Sequence, residues 1–216
     1  MAVSLPHLSQ ADFADRLSAA VGRDVPRAVS TRLRLHYEEL RRWSKRLSLI
    51  GPGTGETVVA RHYGESLAAL DLLDSGSRLV DVGSGAGFPG WVLAAARSDL
   101  EVWLVESRGR KAAFLEAATR RAALSCRVLS ARVGRSLPEG FPRAVDIITV
   151  RAVRLVPREW YALSTRLSES GRILRWVGPA APSPPSGFVA GRRIAIGGTR
   201  RGVEELLQKH RKDREE

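Results

Sequence analysis

The chain has 216 residues, 44% hydrophobic and 27% charged, proportions that exclude a disordered or fibrous protein and suit one large domain. Its single cysteine, Cys126, excludes an internal disulfide and a cysteine-rich zinc site. The net charge of +12 favours a polyanionic partner, because neutralised phosphates release counterions. The same excess is also what a GC-rich genome produces, with arginine above lysine and many alanines and glycines, so charge alone leaves nucleic acid open.

Residues 8–21 predict a short helix closed by Gly22. Residues 26–47 predict a longer one, in which Leu33, Tyr37, Leu40, Trp43 and Leu47 recur at steps of three or four and draw one apolar stripe. Arg34, Arg41, Arg42, Lys45 and Arg46 surround the stripe as a solvated face, and Arg41, Arg42, Lys45 and Arg46 are alternatively read as steering a nucleic acid. Gly51-Pro52-Gly53-Thr54-Gly55 marks a turn. A third helix follows over 56–73, with Val58, Val59, Ser66, Leu67 and Leu70 inward, and Ser75-Gly76-Ser77 breaks it.

From Arg78 onward strands alternate with helices. Strands are predicted over 78–82, 101–106, 125–129, 145–150 and 172–177, and helices over 89–97, 110–123 and 160–167. The nearly apolar run at 145–150 belongs at the centre of the sheet. A proline-rich loop spans 179–185. Segments 188–190 and 193–196 are expected to form a closing antiparallel pair, and 203–216 a charged, frayed helix. The alternation implies an α/β fold with a mostly parallel sheet and helices on both faces. No apolar run is long enough to span a membrane and no secretory signal is visible, so a cytoplasmic protein is expected. A monomer without metal is expected as well; His36 and His62 are read as packing or solvent-facing residues.

The segment Leu79-Val80-Asp81-Val82-Gly83-Ser84-Gly85-Ala86-Gly87-Phe88-Pro89-Gly90 carries the chemistry. A strand ends in Asp81, three glycines alternate, and Pro89 stands where a helix can begin. Glycine lets the backbone turn sharply and lets a ligand approach without a Cβ in the way. Three readings compete: a connection without ligand, a dinucleotide site, and an S-adenosylmethionine site. The formal G-x-G-x-x-G of Gly85 to Gly90 starts four residues past Asp81, whereas a dinucleotide loop starts at the strand end. An acidic Asp81 would repel a pyrophosphate and attract a cationic methionine amino group, which favours adenosylmethionine. Glu106 ends the second strand, where a carboxylate can hydrogen-bond ribose hydroxyls. Ala131-Arg132-Val133-Gly134 is placed to flank an adenine, and Thr149-Val150-Arg151-Ala152 lies where a substrate would enter. The fourth strand lacks the D/N-P-P-Y motif of exocyclic-amine methylators, and no second cysteine supports attack through a pyrimidine adduct. A nucleophile that needs no strong base fits such a site. Guanine N7 is one, since positioning dominates its catalysis.

These residues resemble the bacterial small-subunit ribosomal RNA guanine-N7 methyltransferases, the RsmG family, also called glucose-inhibited division protein B. The resemblance runs from about Leu35 to Val177. It rests on Trp43 to Leu49, Arg61 to Leu67, Leu79 to Gly90 with its Gly-Phe-Pro-Gly extension, Leu104 to Ser107, Arg110 to Leu115, and Arg151-Ala152-Val153. It implies a Rossmann-like class I methyltransferase core over 75–200, a helical extension over 1–74 and a charged tail over 201–216. It further implies that Asp81, Gly83, Ser84, Gly85, Gly87 and Phe88 hold the methionine end of S-adenosyl-L-methionine, Glu106 the ribose, and Val133 with Gly134 the adenine edge. Arg151 would lie at the active site and meet the ribosomal RNA or small ribosomal subunit. The chain departs from the family at Ser48-Leu49-Ile50 for Asn-Leu-Thr, Glu65-Ser66 for Asp-Ser, Gly134 for an acid, and Val177-Gly178 for Lys-Gly. Arg151, aided by Arg154, is expected to supply the charge that the missing lysine would carry. A methyltransferase with another acceptor, or a non-catalytic RNA-binding relative, remains the alternative.

Overall fold

The computed structural model describes residues 4–209. Helix α1 (Gln10–Val21) and helix α2 (Arg27–Trp43) open the chain. Ser9 caps α1 by accepting from the Asp12 amide, and Gly22 ends it in the left-handed conformation. Leu33, Tyr37 and Leu40 are fully buried on the inner face of α2, while Trp43 is half-buried. The helix stops at Trp43, short of the predicted Leu47.

The continuous helix expected over 56–73 is broken. A π-helical turn (Val59–Gly64), a short α3 (Glu65–Leu67) and a 3-10 turn (Leu70–Leu72) take its place. The cause is tertiary. The Arg151 guanidinium donates to the carbonyls of Arg61 (2.6 Å) and His62 (3.4 Å), and Trp176 Nε1 donates to the Glu65 carbonyl (2.9 Å). Side chains from distant strands thus claim carbonyls that a regular helix would use internally.

The alternating part follows as β1 (Arg78–Val82), α4 (Gly90–Ala96), β2 (Glu101–Glu106), α5 (Gly109–Arg121), β3 (Arg127–Ser130), β4 (Val145–Val150), α6 (Pro157–Ser164), β5 (Leu167–Val177), β6 (Phe188–Ala195) and β7 (Gly202–Gln208). They form one seven-stranded sheet in the order β3-β2-β1-β4-β5-β7-β6. The first five strands are parallel; β7 runs antiparallel to both of its neighbours. The expected α/β architecture is present, with two corrections. Segments 188–190 and 193–196 do not pair with each other. They are one strand, β6, with an irregularity between Ala190 and Arg193. The helix expected from Val203 is β7, and positions 210–216 of that prediction lie outside the described residues. Its charges belong in the sheet because β5 neutralises them: Arg175 pairs with Glu204 and Arg172 with Glu205.

One face of the sheet carries α4, α5 and the N-terminal helices around a continuous core. Phe13, Leu17 and Tyr37 of the extension share it with Trp91 of α4 and Phe114 of α5. The other face is covered by α6 and by the loop bearing Leu137 and Phe141. Gly87 sits at a close approach within the first face. Its φ is +85°, and a Cβ there would lie 2.8 Å from Trp91 Cβ and 3.1 Å from His36 Nε2. The third glycine of the loop therefore serves close packing. Gly87→Ala is expected to lower stability by about 1–3 kcal/mol in denaturant unfolding through overpacking and backbone strain. Gly134→Ala, where a Cβ meets nothing closer than 3.8 Å, should leave the midpoint unchanged. Equal midpoints for both variants would remove this reading of Gly87.

Candidate functional site

The carboxyl ends of β1, β2, β3 and β4 open into one cleft. Gly83, Ser107, Ala131, Val133, Val153 and Arg154 lie along it. This is where open α/β sheets bind ligands. Gly83 has a φ of +71°, and a Cβ on it would reach within 2.4 Å of Val153 Cγ2. The backbone turns back at Ala152, a non-glycine residue at φ +56°, and this brings Val153 over the loop.

Glu106 fixes the next part of the loop. Its Oε2 accepts from the Gly85 amide (2.8 Å) and its Oε1 from the Arg108 amide (2.7 Å). Each carboxylate oxygen keeps a lone pair for another donor, such as a ribose hydroxyl. Gly85 itself has a φ of +57°, and a Cβ there would meet only the Gly83 carbonyl oxygen, at 3.7 Å. Val133 is buried at the cleft wall, and Gly134 follows it in an open loop.

Asp81 is enclosed beneath the loop. Its Oδ1 accepts from Thr149 Oγ1 on the neighbouring strand (2.7 Å), while Oδ2 faces the Gly90 backbone and forms no good hydrogen bond. Burial raises its pKa to about 6, against the Thr149 hydrogen bond that lowers it. An orphaned buried carboxylate oxygen beneath a glycine cradle suits a cationic ligand group nearby. The hydroxyl of Ser84 is turned inward and donates to the Asp81 carbonyl (2.9 Å). The unfolded chain loses the Asp81 proton near pH 3.8 and the native chain near pH 6. The stability this proton confers, on the order of 3 kcal/mol, is full below about pH 4 and lost as pH rises through 6. Asp81→Asn keeps an acceptor for Thr149 and should flatten the pH dependence of unfolding between pH 4 and 6. An unaltered profile would show that Asp81 titrates normally.

Phe88 is held by aromatic neighbours. Its ring stacks on His62 (centroids 4.8 Å, 22°) and meets Tyr63 and His36 edge-on. His36 is fully buried, and burial lowers its pKa to about 3, so it is neutral. Its Nε2–H donates to the Ala86 carbonyl (3.0 Å), which leaves Nδ1 to accept from Tyr63 Oη (2.6 Å). His62 Nε2 is buried without a partner, and burial together with Arg151, Arg61 and Arg201 lowers its pKa to about 3. Sequence reasoning read both histidines as packing or solvent-facing and had no signal for their contact with the loop. The nearest hint was the Arg61-His62-Tyr63 segment of the resemblance.

Arg151 points away from the cleft. Besides the two carbonyls, it donates to Ser66 Oγ (3.3 Å) and pairs with Glu65 Oε2 (2.7 Å). Glu65 also pairs with Arg201, which precedes β7. Arg154, by contrast, lines the cleft and is exposed. Leu155 and Glu159 line it too, and sequence reasoning missed both, because only the fold brings the start of α6 back over the strand ends. Arg151→Ala would leave Glu65 with one cation and the Arg61 carbonyl without its guanidinium donor. Removing one partner of such a pair costs about 3–5 kcal/mol. A large fall in denaturant midpoint is therefore expected; wild-type stability would instead free Arg151 for a purely substrate-side role.

The strand order, the glycine loop and the acidic residue ending β2 define the class I methyltransferase fold. Residues 30–180 match the GidB family, described as rRNA small subunit methyltransferase G, and the chain belongs to that family. It is 44% identical over 108 residues to the ribosomal RNA small subunit methyltransferase G of Desulfotalea psychrophila (strain LSv54 / DSM 12343), covering 48% of this chain and 50% of that one. It is 39% identical to the protein of that name in Methylobacterium sp. (strain 4-46), covering 74% of each chain. The chain thus spans only half the length of the first of these relatives. Among solved structures, a SAM-dependent methyltransferase from Aquifex aeolicus superposes with a TM-score of 0.55 at 17% identity, over 66% of this chain and 89% of that one. Among the described residues, no helix is long and apolar enough to cross a membrane.

Proposed function

We propose that this protein transfers a methyl group from S-adenosyl-L-methionine to N7 of a guanine in small-subunit ribosomal RNA, in the cytoplasm where ribosomal subunits are made. The observation that carries the reading is the cradle at the strand ends. There the Gly85 amide is locked onto Glu106, with Gly83 beside it and Asp81 beneath it. Gly83, Gly85 and the Phe88 backbone would hold the methionine end, with Asp81 balancing its amino group. The free lone pairs of Glu106 would accept from the ribose, and Val133 with Gly134 would flank the adenine. Ser84 and Gly87 would act by shaping the loop.

The bound cofactor supplies an electrophilic methyl group on a sulfonium. Guanine N7 carries an available lone pair, so the protein has no proton to remove before transfer. Its work is to align the base and exclude water. Arg154 would meet the acceptor's phosphate at the cleft mouth. Arg151 would fix the turn that carries His62 and would shape the acceptor side indirectly.

S-adenosylmethionine is expected to bind in the micromolar range and to raise thermal stability by about 2.7 kcal/mol at a hundredfold excess over Kd. Gly85→Val should abolish binding in calorimetry, by filling the open side of the loop and straining a left-handed backbone. Small subunits from cells lacking the native enzyme should acquire label from methyl-labelled cofactor. The N7-methylguanine can be located by reduction and strand scission. Normal binding by the Gly85 variant would sink the cofactor assignment. Cofactor binding with no labelled guanine would assign the chain to a non-catalytic RNA-binding relative.

A further inference from the structure

We propose that a trough between the end of α2 and the start of α5 binds an unpaired nucleotide of the RNA substrate, its base against Trp43 and its phosphates on Lys45, Arg46 and Arg110. The proposal rests on the reading above for the identity of the polyanion. The trough, about 600 Å3, is lined by Arg42, Trp43, Lys45, Arg46, Leu47 and Arg110. Its rim is wholly cationic and its floor is an indole and a leucine.

The cations differ in what they are free to do. Arg34 and Arg41 pair with Glu38, and Arg42 with Glu39 at 2.7 Å, so three of the five cations around the α2 stripe are already partnered. Lys45, Arg46 and Arg110 make no side-chain hydrogen bond or ion pair among the described residues. Arg110 and Lys111 also stand in the first turn of α5, which has no acidic residue. Cations at the positive end of a helix repel its dipole, and an arriving anion would relieve that repulsion.

The floor selects the kind of anion. Trp43 is half-buried, and its orientation is set before any ligand arrives. Its Nε1 donates to the buried Glu39 carboxylate (3.1 Å), and its ring packs edge-on against Phe114 (5.9 Å, 71°). A fixed aromatic surface inside a cationic groove is the arrangement that stacks bases and tracks a single-stranded backbone. A duplex offers phosphates to the rim but no free base face to the indole. The trough continues past Ser48 to Arg108, whose amide donates to Glu106 at the cofactor cleft. A strand seated there runs toward the Glu106 end of the cofactor cleft.

The test measures binding of an unstructured RNA decamer to the full chain as a function of salt. Neutralising two phosphate contacts in Lys45→Ala/Arg110→Ala should weaken binding and reduce the slope of log affinity against log salt by about 1.4. Trp43→Leu should weaken binding about fivefold or more, while Trp43→Phe, which keeps a stacking ring, should lose much less. Calorimetric binding of S-adenosylmethionine by each variant reports that it is folded. An unchanged salt slope in the double variant overturns the proposal, as does wild-type affinity in Trp43→Leu. A duplex of the same length that competes equally well overturns the unpaired-nucleotide assignment. Methylation of small subunits by the wild-type chain is measured in parallel. Loss of RNA binding in the variants with no methyl transfer by the wild type would support the trough while removing the methyltransferase reading.

Discussion

The buried carboxylate of Glu65 is the point on which the three parts of the chain depend. A lone carboxylate at that depth would be costly, and two guanidinium groups offset the cost, one at each carboxylate oxygen. Arg151 comes from the end of β4 and Arg201 from the hairpin before β7, while Glu65 belongs to the N-terminal extension. The same Arg151 draws the carbonyls of residues 61 and 62 out of a regular helix. Trp176 of β5 does so for residue 65. One ion-pair cluster therefore sets both the docking of the extension and the irregular turn that carries His62.

A second constraint runs through His36. Because the imidazole is neutral and enclosed, its two nitrogens have fixed roles, one donating to Ala86 and the other accepting from Tyr63. The extension thereby grips the backbone of the glycine loop from behind, while Glu106 grips it from the front. The three glycines divide the labour. Gly83 admits Val153, Gly85 leaves its outer side open, and Gly87 lets Trp91 and His36 close in. A loop held at two points before a ligand arrives loses less entropy on binding it.

The charge of the chain divides in a similar way. Several of its arginines serve the fold: Arg151 and Arg201 on Glu65, Arg175 on Glu204, Arg172 on Glu205. Lys45, Arg46 and Arg110, without a side-chain partner among the described residues, line the trough beside α5, and the exposed Arg154 lines the cleft. The net charge of +12 gives the size of the excess, and the fold decides which part of it faces solvent as one surface.

By itself the sequence determined the alternating core. Residues 78–82, 101–106 and 145–150 were legible as strands to the residue, because strands buried on both faces must be short apolar runs bounded by polar residues. It also pointed to the strand ends and the glycine loop as the candidate site, since left-handed turns demand glycine locally. What it could not determine depended on partners distant in the chain. Val203 to Gln208 reads as a charged helix until Arg172 and Arg175 of β5 are set beside Glu205 and Glu204. Residues 56–73 read as one helix until Arg151 and Trp176 take its carbonyls. Arg151 reads as a free cation until Glu65 lies against it. Hydrophobic period and turn chemistry are written locally in a chain, whereas the partner of a buried charge is chosen only when the strands meet.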